Sequence, residues 1–152
     1  IRQNAINARI FMKALFDEYL GGIDGIDAVF DAKNVNAGVD EYWDRTDANK
    51  EAFRRYMNEM YSYLHDKYDV EVEMWGAMEV LKGNTKVNNN IILNMWSATE
   101  DSPSARLAEG FRLINVPQTY LYNTPGRYHK GRTHTNPGIH NLKFIHGCGS
   151  IV

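Results

Sequence analysis

Several things are scarce in this 152-residue chain, and each scarcity excludes a class of protein. There is one cysteine, Cys148, so an internal disulfide and a thiolate zinc cluster are both ruled out. No apolar run approaches the roughly 20 residues needed to span a bilayer, and the N-terminus carries no signal-peptide pattern. Neither charge predominates: 17 basic residues stand against 19 acidic ones, for a net charge of -2. That balance leaves no electrostatic footprint for nucleic acid or for an anionic membrane, whereas small neutral partners are not disfavoured. Low-complexity segments and short repeats are also missing. What remains, 43% hydrophobic and 24% charged, is the composition of one ordinary globular domain. The chain opens on Ile1 and ends in GCGSIV without a capping signal, so it reads as a piece of a larger protein.

Hydrophobic periodicity organises the rest. From Asn4 to Leu20, Ile6, Ile10, Leu15 and Phe16 fall at mostly helical spacing, and Gly21-Gly22 follows as a stop. After a turn-rich GGIDGID comes a strand-like run ending at Val35 to Gly38. A long helix is expected from about Asp47, taken as N-cap, to Tyr68, with Phe53, Tyr56, Met57, Met60 and Leu64 on one stripe. Three strands follow: VEVEMW at 70 to 75, IILNMW at 91 to 96 and FRLINV at 111 to 116. Ser102, Pro103 and Gly110 frame a short helix between the last two. IILNM is nearly continuous in apolar residues, as for a strand covered on both faces. Alternation of helices and strands predicts an α/β fold with about four parallel strands joined by right-handed crossovers. No domain boundary precedes the loop-rich tail at 123 to 152.

Active sites of parallel α/β sheets gather where strands end at their C-terminal edge. Here the first strand runs into Asp40-Glu41, the second ends at Trp75, the third at Trp96, and the fourth continues to Tyr120 and Tyr122. Neighbouring residues of a regular strand point to opposite faces, so the two carboxylates serve one ligand only if the backbone curls there. Such a rim suits a sugar: indole stacks on the apolar face of a pyranose, while carboxyls and phenols handle hydroxyls and proton transfer. Glycosidic cleavage needs an acid for the leaving oxygen and a second group for the oxocarbenium-like transition state. A like-charged neighbour raises the pKa of one carboxyl toward acid duty. Against this stands the ordinary case, in which a strand-end tryptophan packs in the core.

The segments NAGVDEYW, EMWGA, IILNMWSA and LINVPQTYLYN, in this order, resemble the catalytic barrel of glycoside hydrolase family 20, the β-N-acetylhexosaminidases and lacto-N-biosidases. The resemblance covers roughly Asn4 to Tyr128 and corresponds to the middle and later part of a (β/α)8 barrel, its most specific element being Gly38 to Glu41. It implies removal of terminal β-linked N-acetylhexosamine, or of a disaccharide ending in it, by substrate-assisted retaining hydrolysis through an oxazolinium intermediate. Glu41 would then be general acid and base, and Asp40 would hold the acetamido N–H. Trp75 and Trp96 would wall the acetamide pocket, and Tyr120 would hydrogen-bond the acetamide oxygen. The resemblance implies no cofactor, a glycan partner, and a secreted or cell-surface setting of bacterial type.

There are departures from the family pattern. Asn36 stands where many members have histidine, which resembles a bacterial surface-enzyme branch, and Tyr122 stands where an aspartate often grips sugar hydroxyls. The arginine of the family's first strand and the tryptophan of its last have no counterpart, so this segment alone is expected to be inactive, and to need the remainder of its barrel or an oligomeric partner for stability. The competing reading is a non-catalytic carbohydrate-binding or scaffold protein with the same aromatic rim. A metal protein is disfavoured, because His129, His134, His140 and His146 are spaced by five, six and six residues, which fits no common zinc pattern. Asp44, Arg45 and Asp47 read as helix capping and solvation, Asn88 to Asn90 as a polar turn, and Tyr56, Tyr61 and Tyr63 as packing. Arg127, Tyr128 and His129 could line an outer subsite.

Overall fold

The computed structural model describes residues 5–39, 46–76, 81–97 and 101–117. Its elements follow the expected order: α1 (Ile6–Gly21), β1 (Asn34–Asn36), α2 (Asp47–Tyr68), β2 (Glu71–Trp75), β3 (Ile92–Met95), α3 (Pro103–Ala108) and β4 (Arg112–Asn115). The four strands form one sheet in the order β1-β2-β3-β4, and every pairing is parallel. A parallel sheet with helices in its connections is consistent with part of a barrel.

Helix α2 supplies the core. Phe53, Tyr56, Met57, Met60 and Leu64 are buried, together with Tyr61, against Val72 and Met74 of β2, Leu93 and Met95 of β3 and Leu113 of β4. Burial of a side chain such as Leu64, with no exposed surface, contributes roughly 1.5–3 kcal/mol. All four residues of β3 are buried, as its apolar run predicts. The helix starts one residue earlier than expected. Thr46, with extended backbone, is the N-cap and accepts a hydrogen bond from the Asn49 amide at 3.4 Å, while Asp47 is the first helical residue. Both residue types cap well, and the backbone angles make the choice. Ser102 caps α3 by accepting from the Ala105 amide, with Pro103 in the first turn. Asn88 closes the expected polar turn by accepting from the Asn90 amide at 3.0 Å.

Helix α1 corrects the sequence reading more substantially. Ile6 and Ile10 are exposed at 62% and 58%, and the residues that pack on the core are Met12, Phe16 and Leu20. Apolar residues lie on more than one side of this helix, and polar contacts select the side that faces α2. Asp17 accepts hydrogen bonds from Lys67 Nζ at 2.7 Å, Tyr63 at 2.6 Å and Tyr68. Glu59 pairs with Lys13 at 2.7 Å and with Arg9 at 3.4 Å. Burial raises the Asp17 pKa, but the bonds from Lys67, Tyr63 and Tyr68 outweigh it and hold the carboxyl below its usual value. Among the described residues, no helix is long and apolar enough to cross a membrane.

Candidate functional site

Register decides which side chains share a face. In a parallel pair, Cα partners point the same way and successive residues alternate. Val72, Met74, Leu93, Met95 and Leu113 face α2. The opposite face therefore carries Asn36, its Cα partner Glu73, then Trp75 with its partner Asn94, and Ile92 with its partner Arg112. In a closed barrel this is the interior face, and its C-terminal end is where such folds carry their sites.

At the end of β1 the backbone does curl. Pairing with β2 continues past the strand: the Ala37 amide donates to the Glu73 carbonyl at 2.9 Å, and the Trp75 amide donates to the Gly38 carbonyl at 2.9 Å. The side-chain oxygen of Asn36 accepts from the Gly38 amide at 2.8 Å, closing an Asx turn. Gly38 and Val39 then adopt φ of +76° and +68°, both left-handed. For a β-branched residue such as Val39 this conformation is strained, and strain of this kind concentrates at functional sites. Asp40 and Glu41 follow directly in sequence, but they lie outside the described residues, as do Tyr120 and Tyr122.

Trp75 closes β2 and is half-buried, on the face shared with Glu73 and Asn94. Trp96 follows β3 immediately, and is also half-buried, with its ring packed against the core cluster. Part of Trp96 thus does the packing work that a strand-end tryptophan ordinarily does. Glycine at residue 76, just past β2, leaves room for the Met95 side chain of β3. Its amide donates to the Asn94 carbonyl at 2.9 Å, and a Cβ there would lie 2.7 Å from the Met95 sulfur. Asn36, Trp75 and Trp96 thereby occupy the C-terminal ends of three successive neighbouring strands.

Two residues on this face escaped the sequence reading. Asn94, 5% exposed, donates through Nδ2 to the Glu73 carboxylate at 3.3 Å. The signal was the alternation in VEVEMW, which places Glu71, Glu73 and Trp75 on one side and Val72 and Met74 on the other. Glu71 is engaged further down the sheet, where it accepts from Arg112 at 2.6 Å.

A cavity of about 720 Å³ lies elsewhere, lined by Asn58 of α2, Leu81, Lys86 and Val87 of the β2–β3 connection, and Phe111. It is on the helix-covered side, near the N-terminal ends of β3 and β4. Its amides are committed to structure: Asn58 donates to the Lys86 carbonyl and accepts from the Asn88 amide, both at 2.8 Å. Among the described residues, no group of three His, Cys, Asp or Glu side chains could hold a metal ion.

No protein-family model and no curated protein matches the sequence. The fold does resemble solved structures, one of which is a hexosaminidase. It is the β-N-acetylhexosaminidase from Bacteroides fragilis NCTC 9343, with a TM-score of 0.58 and 17% identity over 83% of this chain. The chain spans 27% of that protein's length. The match shows that the four parallel strands and their helices are arranged like part of a hexosaminidase.

Proposed function

We propose that this chain carries the acid-bearing side of a glycoside hydrolase site that acts on terminal β-linked N-acetylhexosamine. The observation that carries the reading is the end of β1: an Asx turn and two left-handed residues, Gly38 and Val39, lead into Asp40-Glu41 and are tied through the Gly38 carbonyl to Trp75. Two further supports are the tryptophans at consecutive strand ends and the likeness of the fold to part of a β-N-acetylhexosaminidase.

In this reading Glu41 protonates the departing glycosidic oxygen and afterwards activates water. Asp40 holds the acetamido N–H while the sugar's own carbonyl oxygen closes on the anomeric carbon. The bond to the leaving group breaks as the new carbon–oxygen bond forms, giving the oxazolinium, and water opens it with retention. Trp75 and Trp96 wall the acetamide, Tyr120 hydrogen-bonds its oxygen, and Asn36 and Tyr122 border the sugar. The experiment is hydrolysis of an aryl N-acetyl-β-glucosaminide by the longer polypeptide that carries this segment. Turnover abolished by Glu41→Gln is the expected result; an intact protein that binds the sugar and never cleaves it overturns the hydrolytic reading.

The half-buried tryptophans at the ends of β2 and β3 also suit a second reading, in which the same rim binds a glycan without turnover. Unchanged sugar affinity in Glu41→Gln, with no hydrolysis in the parent protein, is its signature.

A further inference from the structure

We infer that Glu73 and Asn94 form an acceptor floor beneath Trp75 that selects neutral, hydroxyl-rich rings and rejects anionic ones. The inference rests on the carbohydrate reading above and adds two residues that neither the motif resemblance nor the fold match assigns.

The placement follows from register. Glu73 precedes Trp75 by two residues on the same face of β2, and Asn94 is the Cα partner of Trp75 on β3. The diagonal between Glu73 and Asn94 is closed by the hydrogen bond from Asn94 Nδ2 to Glu73 Oε2 at 3.3 Å. An amide is planar, so committing its nitrogen to Glu73 turns the Asn94 carbonyl oxygen the other way. Among the described residues neither this oxygen nor the second carboxylate oxygen of Glu73 has another hydrogen-bond partner. Two acceptor oxygens thus belong to bonded neighbours on the sheet face that also carries Trp75. Asn94 is held almost fully inside the sheet, at 5% exposure, so its geometry is set before any ligand arrives.

A pair of acceptors asks for donors. Sugar hydroxyls and amide N–H groups provide them, and the adjoining indole suits the apolar face of the same ring. A carboxylate or phosphate on the ligand would meet the negative charge of Glu73. Among the described residues, the cation on this face of the strands is Arg112, which pairs with Glu71 and sits level with Ile92, one layer below Asn94. The chemistry selected is a neutral polyhydroxylated ring.

The test is titration of the longer polypeptide that carries this segment with N-acetylglucosamine and, separately, with N-acetylmuramic acid, which carries a carboxylate-bearing lactyl ether on O3 of the same ring. Tryptophan fluorescence and the Asn94 side-chain amide resonances report binding. The wild type is expected to favour the neutral sugar by at least tenfold. Glu73→Gln, isosteric and half-exposed, should keep the melting temperature, weaken the neutral sugar by about tenfold or more, and narrow the gap to the acid. Asn94→Ser, a milder change than removal of the side chain, should weaken the neutral sugar with the amide resonances of the fold otherwise unchanged. Equal binding of both sugars by the wild type, or unchanged binding in Glu73→Gln, overturns the floor while leaving the carbohydrate reading intact. No sugar binding by the wild type overturns both.

Discussion

The amide of Trp75 donates to the carbonyl of Gly38 at 2.9 Å, and this one bond ties the curled end of β1 to the aromatic end of β2. It makes the position of whatever follows Gly38 depend on a left-handed turn. Gly38→Ala tests that dependence. Its φ is +76° and an added Cβ meets nothing within 4 Å among the described residues, so the cost expected is that of backbone conformation, about 1 kcal/mol. The expected result is a melting temperature lower by a few degrees together with weakened sugar binding. Gly25→Ala, with φ of +82° and equally open space, is the control: a similar loss of stability with binding unchanged.

Gly76 is constrained by space instead. A Cβ there lies 2.7 Å from the Met95 sulfur, and Met95 is buried. Gly76→Ala should destabilise by about 1–3 kcal/mol through overpacking. Adding Met95→Ala removes the obstructing atom, so chemical denaturation of the double variant should show less than the sum of the two single losses.

Glu51 predicts a pH dependence. Its carboxylate accepts from the amides of Asn84 at 2.8 Å and Thr85 at 3.0 Å, and it pairs with Arg54, which ties the β2–β3 connection to α2. The bonds from Thr85 and Arg54 lower its pKa from 4.5 to about 2. A depressed folded-state pKa contributes stability that is present in full above the unfolded value, and that is lost as pH falls from about 4.5 toward 2. Denaturant melts of wild type and Glu51→Gln should therefore differ at neutral pH and converge across that window. A constant difference down to pH 2 is the contrary result.

The core and the helix clamp should respond very differently. Leu64→Ala empties a fully buried position and is expected to lose about 2–5 kcal/mol. Asp17→Asn weakens the α1–α2 clamp at a side chain 38% exposed, where an ion pair contributes at most about 1 kcal/mol. Hydrogen exchange should show the second change confined to α1, whereas the first lowers protection throughout the sheet.

Much of this fold is legible without coordinates. The stripe Phe53, Tyr56, Met57, Met60 and Leu64 has helical spacing and a single partner face, so the period of the sequence and the geometry of burial coincide. The nearly continuous apolar run at 91 to 95 reads as a strand covered on both faces, and all four residues of β3 are buried, Asn94 among them. The packing face of helix α1 is not legible for the opposite reason: with apolar residues on several sides, its periodicity does not choose between Ile6 with Ile10 and Met12 with Leu20. The partners of Asp17 and Glu59, tens of residues away, make that choice.

Local chemistry written in short stretches of chain determined the element order, the parallel α/β class and the tryptophans at the ends of β2 and β3, because helix period, strand alternation and capping act over a few residues. Tertiary structure decided which face of β2 looks away from the helices, and so joined Glu73 to Asn94 across 21 residues of sequence. It also set the left-handed pair Gly38 and Val39 against Trp75. Those relations arise from register between strands, and register is a property of how distant segments pack.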